Sequence, residues 1–278
     1  MHSLVSAEWL SQHLGAPDLR LFDASWYMPA EQRDARALYR AAHLPAARFF
    51  DIDLIADTES SLPHMAPTPA RFEHLVSELG VTNDSRVVFY DQKGIFSAAR
   101  GWWLMRLFGH ERTAVLDGGL PKWRREGRAV ASGEESAPAR TAYRAAFNAR
   151  YLRGLGDVRA NLLQRRELVL DARSADRFAA KVPEPRPGVR SGHIPGSRNV
   201  PYTELLRDGE TLLPPEALRE RFAAAGVAAD SAVVTSCGSG LTAAVLTLGL
   251  EVAGLPSGAL YDGSWAEWGA REDTPTER

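Results

Sequence analysis

The chain has 278 residues, 45% hydrophobic and 24% charged, an ordinary globular balance that excludes a disordered or collagen-like chain and leaves room for about two domains. Thirty-three Lys and Arg against 35 Asp and Glu give a net charge of −2, which offers no electrostatic footprint for nucleic acid or an anionic membrane. One cysteine, Cys237, excludes an intrachain disulfide and a cysteine-rich zinc site.

Met1-His2-Ser3-Leu4-Val5 shows no basic region leading into an apolar stretch, so no secretory leader is read and a cytoplasmic location is expected. Leu21-Phe22-Asp23-Ala24 reads as an apolar strand ending in aspartate, followed by His43-Leu44-Pro45-Ala46-Ala47. Residues 69–79 predict a helix with proline in its first turn and Gly80 as its stop; a strand over 87–90 and Leu116-Asp117-Gly118 come next. Residues 131–150, rich in Ala, Ser, Glu and Arg with little apolar periodicity, predict a linker that wraps the surface.

The same series then recurs. Val169-Leu170-Asp171-Ala172 precedes His193-Ile194-Pro195-Gly196-Ser197, a helix over 214–225 closed by Gly226, a strand over 233–236 and Tyr261-Asp262-Gly263. Four correspondences in one order, at offsets of 145–150 residues, identify a tandem duplication. The expected fold is α/β, with two repeats that each carry a mainly parallel sheet flanked by helices: residues 1–130, a linker over 131–150, and residues 151–278. The longest weakly polar run, 241–250, is about half of the roughly 20 residues needed to cross a bilayer, so no membrane span is expected.

Val233-Val234-Thr235-Ser236-Cys237-Gly238-Ser239-Gly240-Leu241-Thr242-Ala243 reads as a strand, a cysteine, a glycine-bearing loop and a helix. Glycines let successive backbone N–H groups converge, and the helix that follows adds its free first-turn donors; together they favour a thiolate over a thiol. The alternative is a small buried hydrophobe, the usual fate of a lone cysteine. The duplication supplies an internal control, because Asp91 falls opposite Cys237 when the two valine strands are aligned, so only the second half is expected to hold a nucleophile. Two chemistries use a cysteine in such a cradle. A cysteine phosphatase or arsenate reductase needs an arginine about six residues on, and none occurs between Cys237 and Arg271. Sulfur transfer through a persulfide needs only the backbone donors.

With these motifs the sequence resembles the tandem rhodanese-domain sulfurtransferases, and within them those that act on 3-mercaptopyruvate. The resemblance covers essentially the whole chain. It is carried by Leu21-Phe22-Asp23-Ala24-Ser25-Trp26-Tyr27, Phe49-Phe50-Asp51-Ile52-Asp53, Leu116-Asp117-Gly118-Gly119-Leu120, Gly192-His193-Ile194-Pro195-Gly196 and Tyr261-Asp262-Gly263-Ser264-Trp265. The loop is similar to the family's Cys-Gly-Ser-Gly-Val-Thr, with Leu241 in place of valine, and lacks the basic residues that the thiosulfate-preferring branch places after its cysteine.

The resemblance implies two rhodanese-like domains and a two-step transfer through a Cys237 persulfide, from 3-mercaptopyruvate or thiosulfate to thioredoxin, a small thiol or cyanide, with no metal or cofactor. It implies a loop of Gly238, Gly240, Leu241 and Thr242 around the substrate. Arg177 and Arg186 match the family's two substrate-binding arginines, one to hold a carboxylate in a bidentate fork and one to polarise the ketone. Lys181 between them stays unassigned. Ser239 matches a proton-relay serine, although a serine before a helix also commonly caps it. Asp53 and His64 match first-half residues that complete the constellation, and the site is expected between the halves, at the carboxyl ends of the second sheet's strands. His43 and His193 occur in both halves, which points to a structural role. Ala46 stands where the motif usually has glycine, and Phe96 where some relatives have tyrosine. The competing readings are a thiosulfate sulfurtransferase and a non-catalytic sulfur carrier or binding module.

Overall fold

Short β-branched and aromatic runs become the strands of two five-stranded sheets in the computed structural model, which describes residues 1–278. The first sheet holds β1 (Leu4–Val5), β2 (Leu19–Asp23), β3 (Arg48–Phe49), β4 (Arg86–Tyr90) and β5 (Thr113–Leu116), in the order β1-β5-β4-β2-β3. The second holds β6 (Leu152–Arg153), β7 (Leu168–Asp171) and β8 (Arg198–Asn199); after two short strands outside it, β9 (Leu206–Arg207) and β10 (Thr211–Leu212), come β11 (Val233–Ser236) and β12 (Ala259–Tyr261). Its order is β6-β12-β11-β7-β8, the same permutation as the first, and every pairing in both sheets is parallel. The duplication read from the sequence is thus a duplication of topology. The central strands are buried along their length, as the unbroken runs at 87–90 and 233–236 require of parallel strands covered on both faces.

The predicted helices form with small shifts at their ends. Residues 69–79 give Pro69–Glu78, whose N-cap Thr68 accepts the Arg71 N–H, and Gly80 follows at φ +74. Residues 214–225 give Pro215–Ala224, with Gly226 at φ +91. No helix is long and apolar enough to cross a membrane.

Two compact units result. Unit 1 comprises Met1–Thr58, Pro67–Asn148 and Asp208–Leu212, and unit 2 comprises Glu59–Ala66, Ala149–Arg207 and Leu213–Arg278. Two features of this division differ from the sequence reading. Residues 131–148, expected in a linker, belong to unit 1: Ala131 pairs with His43, the Asn83 side chain bonds both the N–H and the carbonyl of Arg144, and Tyr143 is 2% exposed against Phe72. Anchors scattered this sparsely leave no apolar period. Each unit also takes a short segment from the other half of the sequence, and the repeated aspartate after the fifth strand receives it. Asp117 accepts the Leu212 N–H at 3.0 Å in unit 1, and Asp262 accepts the Ala66 N–H at 2.6 Å in unit 2.

The repeated histidines occupy matched settings. His43 stacks on Tyr39 and sits 3.5 Å from Glu135; His193 stacks on Phe178 and sits 3.6 Å from Glu277. The same two glutamates accept the N–H of Ala46 and of Gly196. Both residues are left-handed, Ala46 at φ +62 and Gly196 at φ +75, so alanine carries a strain that glycine avoids. Ala46→Gly keeps the Glu135 contact and relieves that strain; part of the gain is offset by the greater freedom of glycine in the unfolded chain. The expected result is stabilisation by about 0.5–1 kcal/mol, measured by chemical denaturation. A destabilised variant would show that the alanine methyl contributes packing that outweighs its backbone cost.

Candidate active site

β11 delivers Cys237 just past its carboxyl end, where Ser236 pairs in register with Asp171 at the end of β7. The thiol is buried, at 1% exposure, and Sγ accepts the N–H of Gly240 at 3.1 Å and of Ser239 at 3.4 Å. Gly240 adopts φ +79, the conformation that turns its N–H back toward the sulfur. The loop is pinned from below by residues 264–266. Cys237 N–H donates to Ser264 Oγ at 3.1 Å, the Cys237 carbonyl accepts the Trp265 N–H at 3.0 Å, and the Gly238 carbonyl accepts the Ala266 N–H at 2.9 Å. Ser264 Oγ in turn donates to the Tyr261 carbonyl at 2.9 Å. Leu241 is buried and Thr242 half-buried, and together they complete the loop. For that reason the helix begins at Ala243 and runs to Val252, two residues later than the apolar run suggests. Its N-cap is Thr242 and no side chain caps it, so the capping role open to Ser239 is not taken up.

The first unit shows what the same loop becomes without a thiol. Asp91 follows β4 as Cys237 follows β11, and its carbonyl accepts the Leu120 N–H at 3.1 Å as the Cys237 carbonyl accepts that of Trp265. The Asp91 carboxylate accepts the N–H groups of Lys93, Phe96 and Ala98 at 2.8–2.9 Å and so fills its own cradle. In both units the loop amides converge on the side chain that follows the central strand, a carboxylate in one and a sulfur in the other. Phe96 is buried and supplies no hydroxyl there.

Arg177 lies on the short helix Ala175–Phe178 and reaches the Cys237 loop: a Cβ on Gly238 would meet its Nη2 at 3.0 Å. Its Nε and Nη2 donate to the two oxygens of Glu184 at 3.2 and 2.5 Å. One bidentate edge of the guanidinium is therefore occupied, and the Nη1–Nη2 edge is the other with the geometry to meet a carboxylate. Arg186, two residues beyond Glu184, is half-buried, whereas Lys181 is exposed, 3.9 Å from Asp176. His64 is 6% exposed at φ +60 in the 59–66 segment of unit 2, held by the Ala66 bond to Asp262 beyond β12. Cys237, Ser239, Arg177, Arg186 and His64 thus share unit 2. Asp53 belongs to unit 1, in the first turn of the helix Ile52–Ile55, where its Oδ2 accepts the Trp26 indole N–H at 2.9 Å.

Sequence reading missed a buried charge network under this site. Arg173, fully buried, donates from Nε and Nη2 to Asp171, from Nη2 to the Gly192 carbonyl at 2.8 Å and from Nη1 to Glu184 at 2.9 Å. Its guanidinium lies 4.5 Å over the Trp265 ring. Burial opposes the charge on Arg173, but the carboxylates of Asp171 and Glu184 outweigh it and hold the pKa above that of a free arginine. The one trace of this in the sequence is that Arg173 stands where the first repeat has Ser25.

Fold and site together define a tandem-repeat α/β protein with a single cysteine cradled by backbone amides at the carboxyl end of a parallel sheet. The chain belongs to the rhodanese family: the sequence profile of the Rhodanese-like domain matches residues 6–126 and again 155–271. It is 43% identical over 274 residues to the 3-mercaptopyruvate sulfurtransferase of Escherichia coli strain K12, covering 98% of this chain and 97% of that one. It is 44% identical over 294 residues to thiosulfate/3-mercaptopyruvate sulfurtransferase 1 of Arabidopsis thaliana, covering 99% of this chain and 78% of that one. Among solved structures, the crystal structure of SseA from Escherichia coli superposes with a TM-score of 0.86 at 39% identity, over 95% of this chain and 99% of that one.

Proposed function

We propose that the chain is a 3-mercaptopyruvate sulfurtransferase whose sulfur carrier is Cys237. The observation that carries this reading is the sulfur itself, held by two loop amides, with an arginine edge beside Gly238 and no basic side chain inside the loop. The Cys237 thiolate attacks the sulfur of 3-mercaptopyruvate. The bond from that sulfur to carbon breaks, and its electron pair leaves as the enolate of pyruvate. The thiol proton of the donor is released as the persulfide forms, and the enolate carbon takes up a proton to give pyruvate. Ser239, in the loop, and His64 and Asp53 are the groups assigned to this proton traffic. An acceptor nucleophile, a thiolate or cyanide, then attacks the outer sulfur and regenerates the Cys237 thiolate. The chain has no second cysteine, so the acceptor is another molecule: thioredoxin, a small thiol or cyanide. A reducing cytoplasmic setting suits a sole cysteine that must alternate between thiolate and persulfide.

Arg177, through its Nη1–Nη2 edge, and Arg186 bind the carboxylate and ketone of the donor, while Gly238, Gly240, Leu241 and Thr242 line the sulfur. 3-Mercaptopyruvate has one carboxylate and needs one such fork; thiosulfate is a dianion and gains more from lysine or arginine within the loop, where this chain has Gly238 and Ser239. Steady-state kinetics with both donors and cyanide as acceptor test the reading. The expected kcat/KM is at least about tenfold higher for 3-mercaptopyruvate, and mass spectrometry of the donor-treated protein should find one added sulfur atom on Cys237. A clear preference for thiosulfate would replace this reading with a thiosulfate sulfurtransferase. Absence of both pyruvate and added sulfur would replace it with a binding module.

A further inference from the structure

Glu184 is the one acidic side chain bound to Arg177, and nothing in the proposed chemistry uses it. Its carboxylate is 4% exposed and shared between two guanidiniums, with Oε1 accepting from Arg173 Nη1 at 2.9 Å and from Arg177 Nε at 3.2 Å, and Oε2 accepting from Arg177 Nη2 at 2.5 Å. Arg173 is itself fixed by Asp171, the Gly192 carbonyl and the Trp265 ring. Trp265 also holds the Cys237 carbonyl. One rigid chain of contacts therefore runs from the Cys237 loop through Trp265, Arg173 and Glu184 to Arg177, and back to Gly238. Glu184 stands between Pro183 and Pro185, and a residue before proline is restricted to extended conformations, which limits how far its backbone can follow a moving side chain.

We infer that Glu184 is a positioning residue that sets donor preference. This rests on the reading of Arg177 as a carboxylate-binding arginine. By occupying the Nε–Nη2 edge, Glu184 presents the Nη1–Nη2 edge for a substrate and removes the rotamer freedom that a long side chain would otherwise lose on binding. By charge, it selects. Asp171, Arg173, Glu184 and Arg177 sum to zero, so the fork that meets the donor belongs to a neutral cluster. Such a cluster tolerates a monoanion held by directed hydrogen bonds and gives a dianion no net attraction, which is discrimination by withholding charge from the competitor. Arg186 contributes its own positive charge on the same loop and is common to both donors. The first repeat, with Ser25 in place of Arg173 and Asp91 in place of Cys237, lacks both the thiol and this arginine.

Two substitutions separate position from charge. Glu184→Gln keeps the shape and one acceptor oxygen but leaves the cluster with a net positive charge. It is expected to raise the KM for 3-mercaptopyruvate about tenfold with kcat within about twofold, and to raise kcat/KM for thiosulfate about threefold. Glu184→Asp keeps the charge but is one methylene too short to reach both guanidiniums; it is expected to raise the 3-mercaptopyruvate KM and leave thiosulfate use unchanged. A loss of stability lowers turnover with both donors together, so the ratio of the two reports the role even if the variants melt at lower temperature. Equal losses for both donors in both variants would overturn the inference while leaving the proposed function standing. A wild-type protein that turns over neither donor overturns both.

Discussion

Cys237→Ser protein, mixed with 3-mercaptopyruvate and cyanide, is expected to release no pyruvate above the uncatalysed rate and to gain no sulfur, while melting within a few degrees of the wild type. The exchange is nearly isosteric in a site where the side chain is 1% exposed, and a hydroxyl oxygen can accept the Ser239 and Gly240 amides that now meet the sulfur. Stability therefore changes by no more than about 1–2 kcal/mol. Activity has no such latitude. An oxygen nucleophile cannot form the persulfide, and a serine hydroxyl with no base bonded to it is not ionised near neutrality, so the loss is at least about 10⁴-fold, corresponding to a transition state raised by more than about 5 kcal/mol. Pyruvate release by coupled assay and intact-protein mass spectrometry check the two halves of the expectation. Turnover within about tenfold of the wild type would remove Cys237 from the mechanism and return it to the role of a buried hydrophobe.

The parts of this molecule that were legible in the sequence are those written in local pattern. Val87–Tyr90 and Val233–Ser236 are continuous buried runs, Gly80 and Gly226 stop helices at matched places, and Cys237-Gly238-Ser239-Gly240 announces its cradle by composition alone. Two-residue edge strands such as Leu4–Val5 and Leu152–Arg153 are too short to show a period, and they form because the fifth strand of each sheet offers an open edge. The exchanged segments were not legible for a related reason. Residues 59–66 are irregular and residues 208–212 hold only the two-residue β10; Asp262 and Asp117 each accept one backbone N–H of these segments, and Glu210 also pairs with Arg125, so the repeat of the aspartates was visible in the sequence, but not what they receive. That placement puts His64 in the unit that contains Cys237 although it precedes the first repeat's central strand in sequence. The residues expected as a linker begin with Ala131, which pairs with His43 as Glu277 pairs with His193, so they complete the first repeat in the way residues near Glu277 complete the second. Ion pairing is the least legible feature. Arg177 and Arg186 could be matched by spacing, but the pairing of Arg177 with Glu184, and of Glu184 with Arg173, depends on where the 179–188 loop folds back.

Arg173→Met is expected to cost about 3–5 kcal/mol of stability. Methionine fills much of the volume and can lie against the Trp265 ring, so the loss is not one of packing. It arises because two carboxylates, Asp171 at 2% and Glu184 at 4% side-chain exposure, lose the cation they share, and the Gly192 carbonyl loses its donor. Asp171 retains the Arg173 backbone N–H at 2.9 Å, and Glu184 retains Arg177, so neither is stripped of every partner and the upper end of the range is a ceiling. The network explains the sign of a second measurement. If the cost lies in stranded charge, neutralising a carboxylate should return part of it, and Arg173→Met/Glu184→Gln should be less destabilised than the sum of the two single variants by about 1–2 kcal/mol. Denaturant melts of the four proteins in this cycle give that coupling directly. A single-variant loss below about 1 kcal/mol, or a cycle that is additive within error, would mean that water enters the cavity and solvates the carboxylates, and that the buried arginine is held for the geometry of Glu184 and Arg177 rather than for the stability of the fold.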